Sequence, residues 1–232
     1  MTMFYVPTLT QGICVLSEEE SMHAVKVLRL KSSDAIVVVD GVGGMYKAII
    51  TIAHHKHCAF EITQAMPTIA MPYNLHIAIA PTKNIDRFEW FVEKATEIGV
   101  SQITPIICQH SERKILKEER VQKIIVAASK QSIKAHFPVL HPLCTFEQFV
   151  LNNAATQKFI AHCYEHDKKE LKSELRAASR SIIMIGPEGD FSPSEINTAI
   201  QNSYVPVALG TSRLRTETAG LYACAAAALA NI

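Results

Sequence analysis

The chain lacks both an excess of charge of one sign and an apolar run long enough to span a membrane. Its 232 residues carry 23 Lys and Arg against 22 Asp and Glu, so the net charge of +1 gives no indication of a nucleic-acid partner. The apolar C-terminal segment, residues 219–232, is shorter than the roughly 20 residues that a membrane span needs. We therefore expect no membrane association and predict a buried helix there.

Closely spaced cysteines are also missing. The six cysteines are scattered, without the CxxC spacing of a zinc site or the regular spacing of a disulfide framework. The first residues have neither the basic start nor the apolar stretch of a signal peptide. These features predict a cytoplasmic protein with reduced thiols.

The first seventy residues alternate β-strand candidates with turn signals, which predicts a small β-rich domain at 1–70. Ser17 precedes three glutamates and an apolar pattern of helical spacing, so a helix is expected to begin there. Pro67 and Pro72 interrupt the pattern and predict a domain boundary near residue 70. The predicted strands are residues 13–16, 35–39, 46–52 and 58–62.

Strands alternate with helices in the remainder, 73–232, which predicts an α/β domain with a mainly parallel sheet. A helix over residues 85–98 has apolar residues on one face and is expected to end at Gly99. The predicted strands are residues 75–80, 103–108, 159–163, 181–185 and 205–209.

One polar motif follows the strand at 181–185 and reads Gly-Pro-Glu-Gly over residues 186–189. The next helix start has Ser192, Pro193 and Glu195, the pattern of a capping box with proline at the first helical position. Ligands bind beside the carboxyl ends of parallel strands, and glycine allows a close backbone approach. The motif therefore predicts either a ligand loop or an ordinary strand-to-helix connection.

A second polar motif follows the strand at 205–209 and leads into the alanine-rich C-terminal helix. Its residues 214–219 read Leu-Arg-Thr-Glu-Thr-Ala, and such polar groups beside a core helix are costly unless they are paired or used. The motif therefore favours a functional role, and the alternative is that Arg215 and Glu217 form a structural ion pair.

Two further features have a functional and a structural interpretation. Residues 111–137 are locally basic, which suits either a phosphate-facing surface or a solvated helix face. The tract 54–57, His-His-Lys-His, lies between strand candidates with no carboxylate or cysteine cluster, so an exposed hairpin is favoured over a metal site. We predict no metal.

Taken together, the motifs resemble the RsmE family of 16S ribosomal RNA uridine-N3 methyltransferases. The resemblance rests on GPEGxFS from residue 186, LGxxxLRTETA from residue 209 and FEWFVEKATEIGV at 88–100, and it runs through the chain. His23 and the Val-Leu-Arg triplet at 27–29 are similar to the family's N-terminal helix motif. Three places depart from the pattern: Asp190 stands where many members have glycine, Arg213 replaces an apolar residue, and 130–134 differs from the usual glutamate-first, Gly-Arg-last segment.

The resemblance implies a SPOUT-type fold with a deep trefoil knot, preceded by a PUA-like RNA-binding domain. It also implies a homodimer, 16S rRNA of the small ribosomal subunit as partner, and S-adenosyl-L-methionine held by three loops. The first loop runs over residues 80–83. The implied cofactor-binding residues are Ala80, Pro81, Ile185, Gly186, Pro187, Glu188, Gly189, Leu209, Gly210, Leu214, Arg215, Thr216, Thr218 and Ala219.

Methylation at uridine N3 requires the N3 proton to leave, and the resulting anion spreads onto two ring oxygens. We expect Arg215 to stabilise that anion, while Glu217 or Glu188 acts as the base or orients Arg215. The candidates for RNA contacts are Arg29, Arg113, Lys130 and Lys134. Two alternatives are a SPOUT-type enzyme acting on ribose 2′-hydroxyls or guanosine N1, and a non-catalytic RNA-binding protein.

Overall fold

The computed structural model describes residues 2–152, 155–164 and 168–232, which form two compact units. The first unit combines the chain up to Ala70 with Val126–Phe137, and the second contains Met71–Ile125 and Pro138–Ile232. The segment Val126–Phe137 joins the first unit through backbone hydrogen bonds: the Gly43 N–H donates to the Ala135 carbonyl, and the Phe137 N–H to the Gly41 carbonyl. The domain boundary predicted near residue 70 did not anticipate that this later segment belongs to the first unit.

The first unit is built on a sheet whose strands lie in chain order, β1 to β4. The β1–β2 pair is parallel and the other pairs are antiparallel. Helix α1 begins at Ser17, whose side chain accepts a hydrogen bond from the Glu20 N–H, as predicted, and the helix continues as a wider turn over His23–Val27. The bounds are β1 Met3–Tyr5, a short 3-10 helix Pro7–Gln11, α1 Glu18–Met22, β2 Ala35–Val39, β3 Met45–Ile52 and β4 Ala59–Ala65.

The predicted strand at 13–16 is wrong. Only Val15 pairs in the manner of a strand, with Ala59, while the Leu16 N–H donates to the Cys58 carbonyl. The chain turns into α1 at Ser17, so there is no room for a longer ladder. Strand β1, by contrast, is too short to give a recognisable sequence pattern.

The second unit contains a sheet in which, among the described residues, every strand pair is parallel. Helix α3 begins in this unit and ends in the first. The strands are β5 Asn74–Ile79, β6 Gln102–Ile107, β7 Val139–Leu140, β8 Cys144–Thr145, β9 Gln157–Ala161, β10 Lys169–Glu170, β11 Arg180–Ile185 and β12 Val205–Ala208. The helices are α2 Ile85–Ile98, α3 Glu118–Gln131, α4 Phe146–Asn152, α5 Leu171–Glu174, α6 Pro193–Gln201 and α7 Thr216–Leu229.

The strand order is β10-β12-β9-β11-β5-β6-β7, with β8 paired to β6. The carboxyl ends of four adjacent strands are in register to within one residue, because Val207 pairs with Ala161, Ala161 with Ile185, and Ile185 with Ile79. The loops that follow β12, β9, β11 and β5 therefore emerge side by side, at what we call the carboxyl edge of the sheet. The α/β class and the parallel sheet are confirmed, and the knot stays a prediction.

Helices α2 and α7 pack against each other over the sheet. Helix α2 buries Phe88, Phe91 and Val92, and it ends at Gly99 as predicted. Gly220 of α7 makes the close approach possible, since a Cβ there would lie 2.6 Å from the Phe91 ring. The predicted C-terminal helix thus exists and is buried on this face, while Leu229 at its end is exposed. No described helix is long and apolar enough to cross a membrane.

Candidate active site

A cavity of about 710 Å³ opens at the carboxyl edge of the parallel sheet, a size typical of small-molecule sites. Its walls come from the chain after β9, β11 and β12 and from the start of α7. The lining residues are Ala161, His162, Cys163, Lys168, Ile185, Gly186, Pro187, Glu188, Asp190, Val207, Ala208, Leu209, Gly210, Thr211, Ser212, Arg213, Leu214, Arg215, Thr216 and Ala219.

The loop after β11 is closely packed at both of its ends. A Cβ on Gly186 would lie 3.0 Å from the Phe191 backbone nitrogen, which is closer than an ordinary van der Waals contact, so this turn favours glycine. The predicted capping box is confirmed: the Ser192 side chain accepts from the Glu195 N–H, and Glu195 Oε2 accepts from the Ser192 N–H at 2.8 Å. Glu195 Oε1 also accepts from the Gln109 N–H at 2.8 Å, which connects this helix start to the loop after β6.

The loop after β12 is bonded to β10 at one end and to the loop after β11 at the other. Gly210 has a φ of 90°, a conformation that favours glycine, and its N–H donates to Glu170 Oε2 at 3.1 Å. At the far end of the loop, Arg215 is the N-cap residue of α7, and Thr216 Oγ1 donates to the Gly186 carbonyl at 3.0 Å. The two sequence motifs are therefore directly joined.

The loop after β5 does not line the cavity, but it is bonded to a residue that does. Its Lys83 N–H donates to Glu188 Oε1 at 2.9 Å. Arg113 donates from Nε to the Thr82 carbonyl at 3.0 Å and from its terminal nitrogen to the Lys83 carbonyl at 2.7 Å. Arg113, predicted as an RNA contact, therefore has two donors engaged within its own unit.

Comparisons with known proteins agree with this geometry. A profile for an RNA methyltransferase domain matches residues 70–228, and one for an RNA methyltransferase PUA domain matches residues 16–63. The chain belongs to the RNA methyltransferase family. The methyltransferase is 28% identical over 227 residues to ribosomal RNA small subunit methyltransferase E of Synechocystis sp., covering 94% of this chain and 73% of the relative. Its identity to the Bacillus subtilis protein of the same name is 28%, covering 91% and 88%.

Solved structures extend the likeness to the whole fold. A probable rRNA-methyltransferase from Porphyromonas gingivalis superposes with a TM-score of 0.89 at 37% identity, covering 97% of this chain and 96% of the other. A ribosomal RNA small subunit methyltransferase E from Neisseria gonorrhoeae, bound to S-adenosyl methionine, superposes with a TM-score of 0.84 at 28% identity, covering 97% and 96%.

The structure brings most of the predicted cofactor residues of the methyltransferase to one cavity. Those in its walls are Ile185, Gly186, Pro187, Glu188, Leu209, Gly210, Leu214, Arg215, Thr216 and Ala219. Four others lie outside the lining: Ala80 and Pro81 are buried, and Gly189 and Thr218 are exposed. Ala80 remains connected, because its N–H donates to the Ile185 carbonyl at 3.1 Å.

The predicted catalytic residues occupy different environments. Arg215 is exposed and lines the cavity, whereas Glu217 is buried in the first turn of α7, where a carboxylate interacts favourably with the helix dipole. In the described part of the chain, these two residues form no ion pair with each other. Glu188 is exposed and lines the cavity, so the structure separates the two acidic candidates.

The sequence-based prediction missed the wall that follows β9, which contributes His162, Cys163 and Lys168. The signal for it was weak, since this segment carries no glycine motif. A strand ending beside a ligand site does predict a wall there, but the position of β9 between β11 and β12 is a property of the sheet order.

The remaining predicted RNA contacts lie in the first unit. Arg29 is exposed, with a φ of 57°. Lys130 is largely buried, forms an ion pair with Glu20 at 2.6 Å and lies over the Phe4 ring. Lys134 is half-buried and follows Ile133, whose φ of 56° lies where the family pattern has glycine.

The histidine tract forms the predicted turn between the antiparallel strands β3 and β4. The His54 and His57 rings stack with centroids 3.8 Å apart. Within residues 2–152, 155–164 and 168–232, no group of three or more His, Cys, Asp or Glu is arranged to hold a metal ion. All six cysteines are free.

Proposed function

We propose that this methyltransferase transfers a methyl group from S-adenosyl-L-methionine to N3 of a uridine in 16S rRNA of the small ribosomal subunit. The observation that carries the proposal is the single cavity wall formed by the two sequence motifs, with the exposed Arg215 on it. The relatives named for small-subunit rRNA methylation, and the neighbour bound to S-adenosyl methionine, support the same substrate and cofactor.

The residues of the cavity fit this cofactor. Gly186 and Gly210 both line the cavity, where the lack of a side chain leaves two loop backbones accessible to a ligand. Backbone groups at such loops suit the polar ends of a nucleoside and an amino acid. The residues that would hold the cofactor are those of the loop after β11, the loop after β12 and the start of α7. The bound cofactor supplies an electrophilic methyl group on its sulfonium.

The role of Arg215 follows from the charge that develops on the uracil ring. Loss of the N3 proton places negative charge on the two ring oxygens, and a cation beside them lowers the free energy of that anion. Arg215 is exposed on the cavity wall and has no acidic partner in the described structure, so its charge is available. We assign it the stabilisation of the uracil anion.

We assign removal of the uridine N3 proton to Glu188 rather than to Glu217. Glu188 lines the cavity, and one of its oxygens accepts from the Lys83 N–H, which orients the carboxylate. Glu217 is buried and lies outside the cavity lining. We therefore propose that it stabilises the start of α7. Of the two acidic candidates that the sequence left open, Glu188 is thus the one we propose as the base.

RNA must present the target uridine outside a base pair, since N3 is used in pairing. Of the four candidate phosphate contacts, Arg113 and Lys130 bond to groups inside the protein, so the exposed Arg29 is the contact that we favour. The homodimer implied by the family forms part of the proposal.

The test uses small ribosomal subunits from a strain that lacks this gene. The subunits are incubated with the purified protein and isotopically labelled S-adenosylmethionine, and the 16S rRNA is digested and examined by nucleoside mass spectrometry. We expect one labelled N3-methyluridine per subunit. A label on a ribose 2′-oxygen, on guanosine, or on no nucleoside would contradict the proposal.

A further inference from the structure

The cavity wall after β9 is held by one of its own side chains, Lys168, and by one from another loop, Asp190. Lys168 Nζ donates to the His162 carbonyl at 2.6 Å and to the Tyr164 carbonyl at 2.7 Å. The N–H of Cys163, between them, donates to Asp190 Oδ2 at 2.7 Å. Asp190 belongs to the loop after β11, so this bond joins two walls of the cavity.

Asp190 is built into its loop by both backbone and side chain. Its N–H donates to the Pro187 carbonyl at 2.9 Å, and its second carboxylate oxygen, Oδ1, accepts from the Phe191 N–H at 2.8 Å. His110 Nδ1 lies 3.0 Å from the Gly189 carbonyl oxygen and 3.1 Å from that of Asp190. These contacts orient the Asp190 carboxylate towards the Cys163 N–H.

The backbone at Asp190 is one that glycine adopts more readily. Its φ is 64°, a left-handed conformation that costs free energy for residues with a Cβ, least for aspartate and asparagine. The family pattern has glycine at this position in many members. A side chain here thus carries a conformational cost, and the two hydrogen bonds accepted by a charged carboxylate, which are stronger than neutral ones, offset it.

We infer that Asp190 is a positioning residue, which holds the segment after β9 against the loop after β11 and so adds a fourth wall to the cofactor cavity. The inference rests on the proposed function for the identity of the ligand. Loss of the carboxylate releases the Cys163 N–H and with it the His162–Cys163 wall. Cofactor binding then has to order this wall, and the affinity falls.

The first test is calorimetric titration of S-adenosylmethionine into the wild-type protein, Asp190→Gly and Asp190→Asn. Glycine suits the left-handed φ but accepts no hydrogen bond, so we expect the Kd to rise about tenfold, equivalent to about 1.4 kcal/mol. Asparagine tolerates the same φ and keeps one acceptor oxygen, so its Kd is expected between the two. Ser203→Gly, at a left-handed position outside the cavity lining with φ 67°, is the matched control and should bind like wild type.

The second test is independent of the cofactor. Amide hydrogen exchange at Cys163, measured in the ligand-free proteins, should be at least about tenfold faster in Asp190→Gly than in wild type, because the N–H loses its acceptor. In steady-state assays the KM for S-adenosylmethionine should rise while kcat changes little, since Asp190 is assigned no contact with the reacting atoms.

The outcomes separate the inference from the proposed function. If wild type binds no S-adenosylmethionine, the proposed function fails, and the exchange rate at Cys163 still reports on the Asp190 bond. If wild type binds it and Asp190→Gly binds equally well, the positioning role is overturned, whether or not the exchange rate changes. Unchanged exchange in both variants also overturns it.

Discussion

Polar side chains line an open cavity at one edge of the parallel sheet, whereas at the other edge they form hydrogen bonds with one another. At the carboxyl edge, loops surround a cavity lined by Glu188, Arg213 and Arg215. Near the amino ends of β5 and β6, which we call the amino edge, polar side chains pair with one another. There His76 Nε2 lies 2.7 Å from Thr104 Oγ1, His141 Nε2 lies 2.9 Å from Gln102 Oε1, and Gln102 Nε2 donates to Asn74 Oδ1 at 3.0 Å.

We interpret this difference as a division between groups that act on the ligand and groups that stabilise the fold. His76 and His141 resemble catalytic candidates by residue type, and burial together with the neighbouring His141 lowers the pKa of His76 to about 4. Each nevertheless has its Nε2 within hydrogen-bond distance of a side chain of β6. We therefore expect substitutions at the carboxyl edge to change catalysis and those at the amino edge to change the free energy of unfolding.

The largest effect is expected from Arg215→Ala. Loss of the cation that stabilises the uracil anion should lower the rate of methyl transfer at least about 100-fold, as for other anion-stabilising donors. Since Arg215 is exposed, the melting temperature should hardly change. Arg180→Ala, an exposed arginine at the start of β11 and thus at the amino edge, is the matched control and should retain activity. A wild-type rate of methyl transfer in Arg215→Ala would show that the carboxyl edge does not depend on this cation.

A pH dependence of stability is expected from the amino edge. Because the pKa of His76 is lower in the folded protein, the unfolded chain binds the extra proton, and stability falls as the pH drops from about 6.5 towards 4. This loss should reach about 3 kcal/mol at pH 4 and be absent above pH 7. Urea unfolding of wild type and His76→Gln at pH 7.5 and 5 measures it. Equal pH dependence in both proteins would contradict the account.

A smaller effect on cofactor affinity is expected from Glu188→Ala. The Lys83 N–H loses its acceptor, so the loop after β5 loosens and the Kd for S-adenosylmethionine should rise about fivefold, equivalent to about 1 kcal/mol. Glu188→Gln keeps an acceptor oxygen and should restore the affinity, while its kcat stays low because the base is lost. A Gln variant with wild-type kcat would remove Glu188 from the assigned role.

The smallest effect is expected from Gln102→Ala at the amino edge. It removes the hydrogen bonds to His141 and Asn74 and should lower the free energy of unfolding by about 1 kcal/mol. Methyl transfer at a temperature well below the melting point should equal that of wild type. A loss of kcat without a loss of stability would show that the amino edge contributes to catalysis.

Local chemistry made several parts of the fold predictable. The caps at Ser17 and Ser192, the end of α2 at Gly99 and the strand at 181–185 depend on neighbours within a few residues, and the structure has all of them. The failed strand at 13–16 also looked favourable locally, but the helix that begins after Ser17 limits it to a single pair.

Long-range pairing explains what the sequence did not reveal. The joining of Val126–Phe137 to the first unit depends on hydrogen bonds to residues 41–43, far away in the chain. The wall after β9 depends on the sheet order, and Asp190 reveals its partner Cys163 only once β9 and β11 are paired. The two motif loops were recognisable because each carries its own glycine. The bonds of Arg113 to the loop after β5 could be seen only in the folded structure.

The most direct test of the central claim is a crystal structure of the protein grown with S-adenosylmethionine. We expect ligand density at the carboxyl edge, bounded by residues 186–188, by residues 209–215 and by the segment after β9, with no ligand at the amino edge. Density at another place, or a cavity that stays empty at saturating S-adenosylmethionine, would contradict the account.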